Sequence, residues 1–249
     1  MESMDVLNCI GKTGISLSDE QAKAFVRYYE LLVEWNGFMN LTAITEPGEV
    51  LIKHFADSLS PFSGLVKDAP LSIKEGIRLI DVGTGAGFPG LPLKIAFPEL
   101  NVTLMDSLGK RVKFLNEVIA QLGLTNVQAI HGRAEDLARD PAHRETYDIV
   151  VSRAVAHMSI LAEYCLPYAK CGGSFIAYKS REYLKGDEES QSAKAIELLG
   201  GKTGEVRQIN LPEYDADRCL VFIKKISKTA KTYPRKAGIP SRMPLGKPV

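Results

Sequence analysis

Long hydrophobic runs are missing from this chain. No stretch approaches the roughly 18 uninterrupted apolar residues that a membrane-spanning helix requires, and the opening Met1-Glu2-Ser3-Met4-Asp5 lacks the basic-then-apolar order of a secretory signal; the expected location is the cytoplasm. Cysteine is sparse: Cys9, Cys165, Cys171 and Cys219 form no C-x-x-C pair, which argues against a zinc knuckle or a disulfide framework and for ordinary reduced thiols. The four histidines (His54, His131, His143, His157) show no H-E-x-x-H or comparable ligand spacing, so no metal is expected. Acidic residues stop at Asp217. After residue 218, Lys224, Lys225, Lys228, Lys231, Arg235, Lys236, Arg242 and Lys247 supply eight positive charges, leaving 23 basic (Arg218 among them) against 30 acidic residues over 1–218 in a chain whose net charge is only +1. A basic end on an acidic body suits a polyanionic partner, because clustered Lys and Arg release condensed counterions from phosphates. A solvated end would carry the same charge.

What is present suffices for one main domain with an appendage: 249 residues, 45% hydrophobic, can bury a substantial core. Ser18-Asp19-Glu20-Gln21 reads as a capping box. Behind it Phe25, Tyr28, Leu32 and Trp35 recur at spacings of three and four, placing them on one helix face that must be covered. That spacing favours core over a base-stacking platform. With further helical pattern from Val50 to Leu59 and no convincing strand, residues 1–75 read as a helical extension laid on the next domain.

From Ile77 the texture becomes short β-branched runs: Ile77 to Val82, Val102 to Met105, Val127 to Ile130, Tyr147 to Val151 and Ser174 to Tyr178. Helical pattern alternates with them, as in Val112, Leu115, Val118 and Leu122 before a stop at Gly123. Two last runs, Glu205 to Leu211 and Cys219 to Lys225, suit an antiparallel hairpin. The expectation is an α/β doubly wound, Rossmann-like sheet over residues 76–226 with an antiparallel edge strand, followed by a basic tail over 227–249.

The strongest chemical signal is Asp81-Val82-Gly83-Thr84-Gly85-Ala86-Gly87-Phe88, directly after the first run. Glycines at 83, 85 and 87 remove the Cβ atoms that would hold a ligand away from the strand-to-helix turn, so backbone N–H groups are expected to approach it. A dinucleotide fingerprint needs glycine where Phe88 stands, which argues against an NAD-dependent oxidoreductase; G-x-G-x-G suits a nucleoside without a pyrophosphate, such as S-adenosylmethionine. Asp106 follows Asp81 by 25 residues, at the end of the second run, where a carboxylate accepts from ribose hydroxyls or caps the next helix. His131-Gly132-Arg133-Ala134-Glu135-Asp136 sets an amide and carboxylates at the same sheet edge, for an adenine or again for a helix cap. Arg153 stands where the fourth strand ends. There it would hold a methionine carboxylate, an RNA phosphate or the target base, or pair with a protein carboxylate.

These segments, with Asn40-Leu41-Thr42-Ala43-Ile44, His54, Asp57-Ser58-Leu59, Pro89-Gly90, Asp106-Ser107, Lys110-Arg111, Ser152-Arg153-Ala154-Val155-Ala156 and Arg235-Lys236-Ala237-Gly238, closely resemble the RsmG (GidB, glucose-inhibited division protein B) family of small-subunit ribosomal RNA guanine-N7 methyltransferases. The resemblance runs over nearly the whole chain. It implies an S-adenosylmethionine-dependent enzyme of class I fold that methylates N7 of one guanine in the decoding-region loop of 16S ribosomal RNA, free or in the small subunit. It also implies that Gly83, Phe88, Ala134, Glu135 and Arg153 contact the cofactor; the glycine spacing adds Gly85 and Gly87, and the strand-end reading adds Asp106. Arg153 is the candidate catalytic residue. For RNA grip the charge pattern favours Lys231, Arg235, Lys236 and Arg242, then Lys110 and Arg111. A monomer is expected.

Two further absences narrow the acceptor. The fourth strand is followed neither by an Asn-Pro-Pro-Tyr type segment, which binds exocyclic amines, nor by a Pro-Cys pair for covalent attack on a pyrimidine. A ring nitrogen such as guanine N7 has a free lone pair and no proton to lose, so no general base is needed. Holding nucleophile, methyl and sulfur in line is then the main task.

Overall fold

The computed structural model describes residues 1–66, 73–154, 156–180, 182–211 and 214–246, with backbone alone for 214–217. Val155, Pro212, Glu213 and Lys247 lie outside these. Seven strands form one sheet: β1 (Arg78–Val82), β2 (Asn101–Asp106), β3 (Val127–His131), β4 (Tyr147–Ser152), β5 (Ala169–Ser180), β6 (Gly201–Leu211) and β7 (Tyr214–Lys225). Their order is β3-β2-β1-β4-β5-β7-β6. The first five are mutually parallel, and β7 runs antiparallel to both β5 and β6. The chain order reverses between β1 and β4, so a crevice opens there at the C-terminal ends of the strands, where ligands of open α/β sheets bind.

Alternation along the strands divides the core. Leu79, Leu104, Ile149, Val151 and Ile176 face one side with the N-terminal helices α1 (Ser3–Gly11) and α2 (Asp19–Met39). Ile80, Val82, Val150, Phe175 and Val221 face the other, against α5 (Met158–Cys165) and α6 (Glu188–Leu198). The two remaining long helices, α3 (Gly90–Ala96) and α4 (Gly109–Gln121), follow β1 and β2 as crossovers on the first side. Ser18 caps α2 as expected: its hydroxyl accepts from the Gln21 amide at 3.2 Å, and Gln21 Oε1 accepts from the Ser18 amide at 2.8 Å. Phe25, Tyr28 and Leu32 are fully buried. Phe25 and Tyr28 meet Phe55 at 4.9 and 5.5 Å between ring centroids, and Tyr28 meets Phe88 at 5.4 Å. The extension therefore supports the glycine loop directly, since the Tyr28 hydroxyl also donates to the Ala86 carbonyl inside that loop.

Candidate active site

At the end of β1 the chain turns through Gly83 (φ +75°), Gly85 (φ +63°) and Gly87 (φ +100°), a left-handed conformation that side chains with a Cβ resist. The glycines differ in what surrounds them. A Cβ on Gly83 would enter open space, whereas one on Gly87 would lie 2.4 Å from Leu91 Cδ1 and 2.7 Å from the Tyr28 hydroxyl. The loop amides do not behave as the sequence suggested. Gly83 and Thr84 both donate to the Met105 carbonyl (2.9 and 3.0 Å), Gly87 and Phe88 to the Thr84 carbonyl, and Gly85 to Asp106 Oδ2 at 2.9 Å. The glycines thus supply room more than donors.

Asp106 is buried and braces this loop: besides Gly85 it accepts from the Leu108 amide at 2.9 Å and lies 3.4 Å from Arg111. Loop bracing is visible here; the helix-cap reading is not met, since the cap position of α4 is Leu108 and no side chain caps it. Below the loop Asp81 is fully buried, with Oδ2 receiving the Thr84 hydroxyl (2.6 Å) and the Gly90 amide (2.8 Å). Its Oδ1 has no partner among the described residues. Burial raises the Asp81 carboxyl to about 7, against the two hydrogen bonds that favour its ionised form.

The crevice itself is walled by Val82, Gly83, Met105, Ala134 and Leu161, with Glu135, Ser107, Tyr164, Gly238 and Ser241 at its polar parts. Gly238 and Ser241 come from the C-terminal segment, which is no loose arm. The Arg144 guanidinium donates to the carbonyls of Thr229, Ala230 and Tyr233, and Glu135 Oε1 receives the Gly238 amide at 2.9 Å. Arg235 donates its backbone N–H and its guanidinium to Glu163, a carboxylate without solvent exposure, at 2.6 to 3.2 Å. Arg235, expected among the RNA-gripping cations, is instead the pin that seats the tail. Nothing short-range in the sequence connects it to Glu163, 72 residues earlier. Lys231, Lys236 and Arg242 remain exposed. Lys110 is exposed but reaches the Met39 carbonyl at 3.3 Å.

Phe88 and Arg153 belong to a second cluster beside the crevice. Phe88 is buried, with the His54 ring stacked on it at 4.5 Å and the Arg153 guanidinium 5.0 Å above. Arg153 donates to Asp57 Oδ2 at 2.9 Å and to the Lys53 carbonyl at 3.1 Å, and lies 3.3 Å from His54 Nδ1. Arg218 approaches the other Asp57 oxygen at 3.6 Å. Burial first, then the Arg153 charge, lowers His54 to about 3, so its ring is neutral, with Nε2 2.9 Å from the Thr42 hydroxyl. The protein-carboxylate reading of Arg153 is thus met by Asp57. That aspartate stood in the sequence only as a family mark; His54 reads there as either a contact to substrate or cofactor or a satisfied structural residue, and its stacking on Phe88 and contact with Thr42 are those of the second.

A doubly wound sheet whose reversed strand, β7, lies between β5 and the edge strand β6 rather than at the edge where the sequence placed it, with a glycine turn at its switch point and an apolar crevice beside that turn, is the class I, Rossmann-like methyltransferase fold. A S-adenosylmethionine-dependent methyltransferase from Aquifex aeolicus superposes on 75% of this chain and 97% of its own with a TM-score of 0.53 at 19% identity. The family model for rRNA small subunit methyltransferase G matches residues 21–213. Curated proteins named ribosomal RNA small subunit methyltransferase G are similar over nearly full length: 56% identity in Lachnoclostridium phytofermentans over 93% of either chain, and 47% in Geobacillus kaustophilus over 98% of this chain and 100% of that one. The chain belongs to the rRNA small subunit methyltransferase G family.

Proposed function

We propose that this protein transfers a methyl group from S-adenosylmethionine to N7 of a guanine in small-subunit (16S) ribosomal RNA. The observation that carries the reading is the crevice at the β1/β4 switch point, backed by family membership over most of the chain. The crevice fits the cofactor in two respects. Gly83 leaves open the space a Cβ would fill, and Asp81 Oδ1, behind the crevice-lining Val82 and Gly83, lacks the partner that an ammonium would supply directly or through a water. Val82, Met105, Ala134 and Leu161 offer the apolar walls an adenine needs, and Glu135 and Ser241 the polar edge. When bound, the cofactor supplies an electrophilic methyl on a sulfonium.

The chain's own part is positioning. Asp106 and Met105 hold the glycine loop, the tail residues Gly238 and Ser241 close one wall, and Asp57 fixes Arg153 beside Ala154 at the acceptor side. Ser152, which ends β4, spends its hydroxyl on the Val82 carbonyl at 2.9 Å and is buried. It serves the fold, in keeping with a nucleophile that needs no deprotonation. The exposed Lys231, Lys236 and Arg242 of the tail, and Arg133 at the crevice wall, would take RNA phosphates.

The direct test is labelled methyl transfer into small subunits lacking the modification, mapped to one nucleotide. Stable binding without label would sink the catalytic reading. A second expectation concerns pH. With its pKa near 7, Asp81 must lose a proton to meet a cationic group, so cofactor affinity should rise with pH from about 5.5 to 7, by up to about tenfold per unit, and then level off. In the free protein the sign is opposite for stability. The folded state keeps a proton that the unfolded chain releases above 3.8, so this group costs stability progressively as pH rises from there to about 7. Calorimetry across that range, with Asp81→Asn as the control that should lose the slope, checks it.

A further inference from the structure

A second cavity adjoins the cofactor crevice, and Ala154 lines both. Its other walls include Arg153, Ala156, Lys179, Glu188 and Arg218. We propose that this cavity is the acceptor pocket for the target guanine, and that Lys179 and Glu188, set side by side, read the guanine edge that carries O6, N1–H and the N2 amine. The inference rests on the proposed methyl transfer to a guanine.

The case is a count of donors and acceptors. Lys179 Nζ donates to the Ala156 carbonyl at 2.9 Å and to Glu188 Oε1 at 2.6 Å, which leaves the third donor of the ammonium. Glu188 Oε1 receives both Lys179 and the Met158 amide, the latter at 2.6 Å, while Oε2 bonds to no other described residue. The pair therefore offers one free donor next to one free acceptor on the wall of a cavity, and both side chains are largely shielded, at 11% and 21% exposure. Guanine presents the complement: O6 accepts, and beside it N1–H and the N2 amine donate, both toward the two lone pairs of Glu188 Oε2. Adenine presents the reverse at those positions, an amine donor beside an N1 acceptor, and would leave both protein groups opposed to like groups. A guanine held by O6 and N1–H keeps N7 free on the other flank of O6, available toward the Ala154 wall. Methylation at N7 makes the purine cationic, so the N1–H bond to a carboxylate strengthens as charge develops, and Glu188 should act on kcat as well as on KM. The bond from Met158 N anchors Glu188 at the first turn of α5, and the Lys179 bond anchors β5 to the loop after β4. The reading groups are thus held by two elements of the fold rather than by a loop.

The test uses small-subunit RNA joined from synthetic pieces, reassembled into subunits, with guanosine, inosine or adenosine at the methylated position. Inosine keeps O6 and N1–H but lacks the N2 amine. With the unaltered enzyme, inosine should lower kcat/KM about tenfold and adenosine should abolish transfer. Glu188→Gln turns the free acceptor into a donor; it should lower transfer to guanosine about 10- to 100-fold and shrink the guanosine/inosine ratio toward one. Its affinity for S-adenosylmethionine should stay unchanged. A merely structural Glu188 would lower both substrates alike and keep the ratio. An unaltered ratio in Glu188→Gln overturns the pocket assignment, and so does equal use of guanosine and inosine by the unaltered enzyme, which needs no variant to fold. If the unaltered enzyme labels none of the subunits, the methyl-transfer reading falls and takes this inference with it.

Discussion

Replacing Gly83 by valine is expected to weaken S-adenosylmethionine binding about a hundredfold while leaving the protein folded. Gly87→Val should do the opposite, lowering Tm on the order of 10 °C before any effect on the ligand is measurable. The two positions share a motif and a positive φ, so each variant carries backbone strain of roughly 1–3 kcal/mol. They part at the Cβ. At Gly83 nothing of the protein lies within 4 Å, and the branched side chain would occupy the crevice. Overpacking a ligand site by that much is worth up to about 3 kcal/mol, or roughly 150-fold in Kd. At Gly87 the first carbon already meets Leu91 at 2.4 Å and the Tyr28 hydroxyl at 2.7 Å, so the N-terminal helix α2 must shift and its hydroxyl bond to Ala86 is put at risk. Strain and overpacking then add to roughly 3 kcal/mol or more of lost stability, about 2–4 °C each in a chain of this size. Melting curves and titration calorimetry on the two variants separate these effects. Equal loss of affinity at equal loss of stability would mean that the loop has one role, not two.

The sheet was legible because buried strands must be apolar on both faces. Val102 to Met105 and Tyr147 to Val151 announce themselves by composition, and all seven runs became strands within a few residues. The ends were hidden where composition is neutral. β5 begins at Ala169 and passes through Lys170, Cys171, Gly172 and Gly173, and β6 opens on Gly201 and Gly204. Ala169 and Gly201 are extended because Tyr147 of β4 and Lys225 of β7 offer them backbone partners, a fact of neighbours rather than of propensity, while residues 170–173 and Gly204 fall where the register shifts, Gly172 at φ +85°. The same division holds in the site. Three glycines after a strand mark a turn that admits a ligand, yet the destination of their amides depends on Met105 and Asp106 in the next strand. The partner of Arg153 lies 96 residues away at Asp57, in a helical stretch whose middle, Leu51–Ala56, is a π-helix. No local period in the sequence foretells that geometry. The charge of the tail was read correctly as a count, but its direction was not: one of its arginines points inward because a buried glutamate waits there.

That inward arginine yields the second large effect. Arg235→Glu should cost several kcal/mol and impair cofactor binding, whereas Lys236→Glu, at the adjacent position, should leave both untouched and lower only the affinity for RNA and its salt dependence. Arg235 fills a fork on Glu163, whose side chain has no solvent exposure, and its own backbone N–H completes the set. Withdrawing the cation leaves an uncompensated buried charge, typically a loss of about 3–5 kcal/mol, and a glutamate there adds repulsion. Because Gly238 and Ser241 line the crevice only while the tail is seated, and Glu135 receives the Gly238 amide, undocking opens the cofactor wall as well. Lys236 is exposed, so its reversal acts through phosphates alone, reducing the slope of log K against log salt by about one. The measurements are Tm, cofactor Kd by calorimetry and RNA affinity at several salt concentrations. A phosphate-gripping Arg235 would behave as Lys236 does, with Tm and cofactor Kd at their unaltered values, and that result would overturn its role as the tail's anchor.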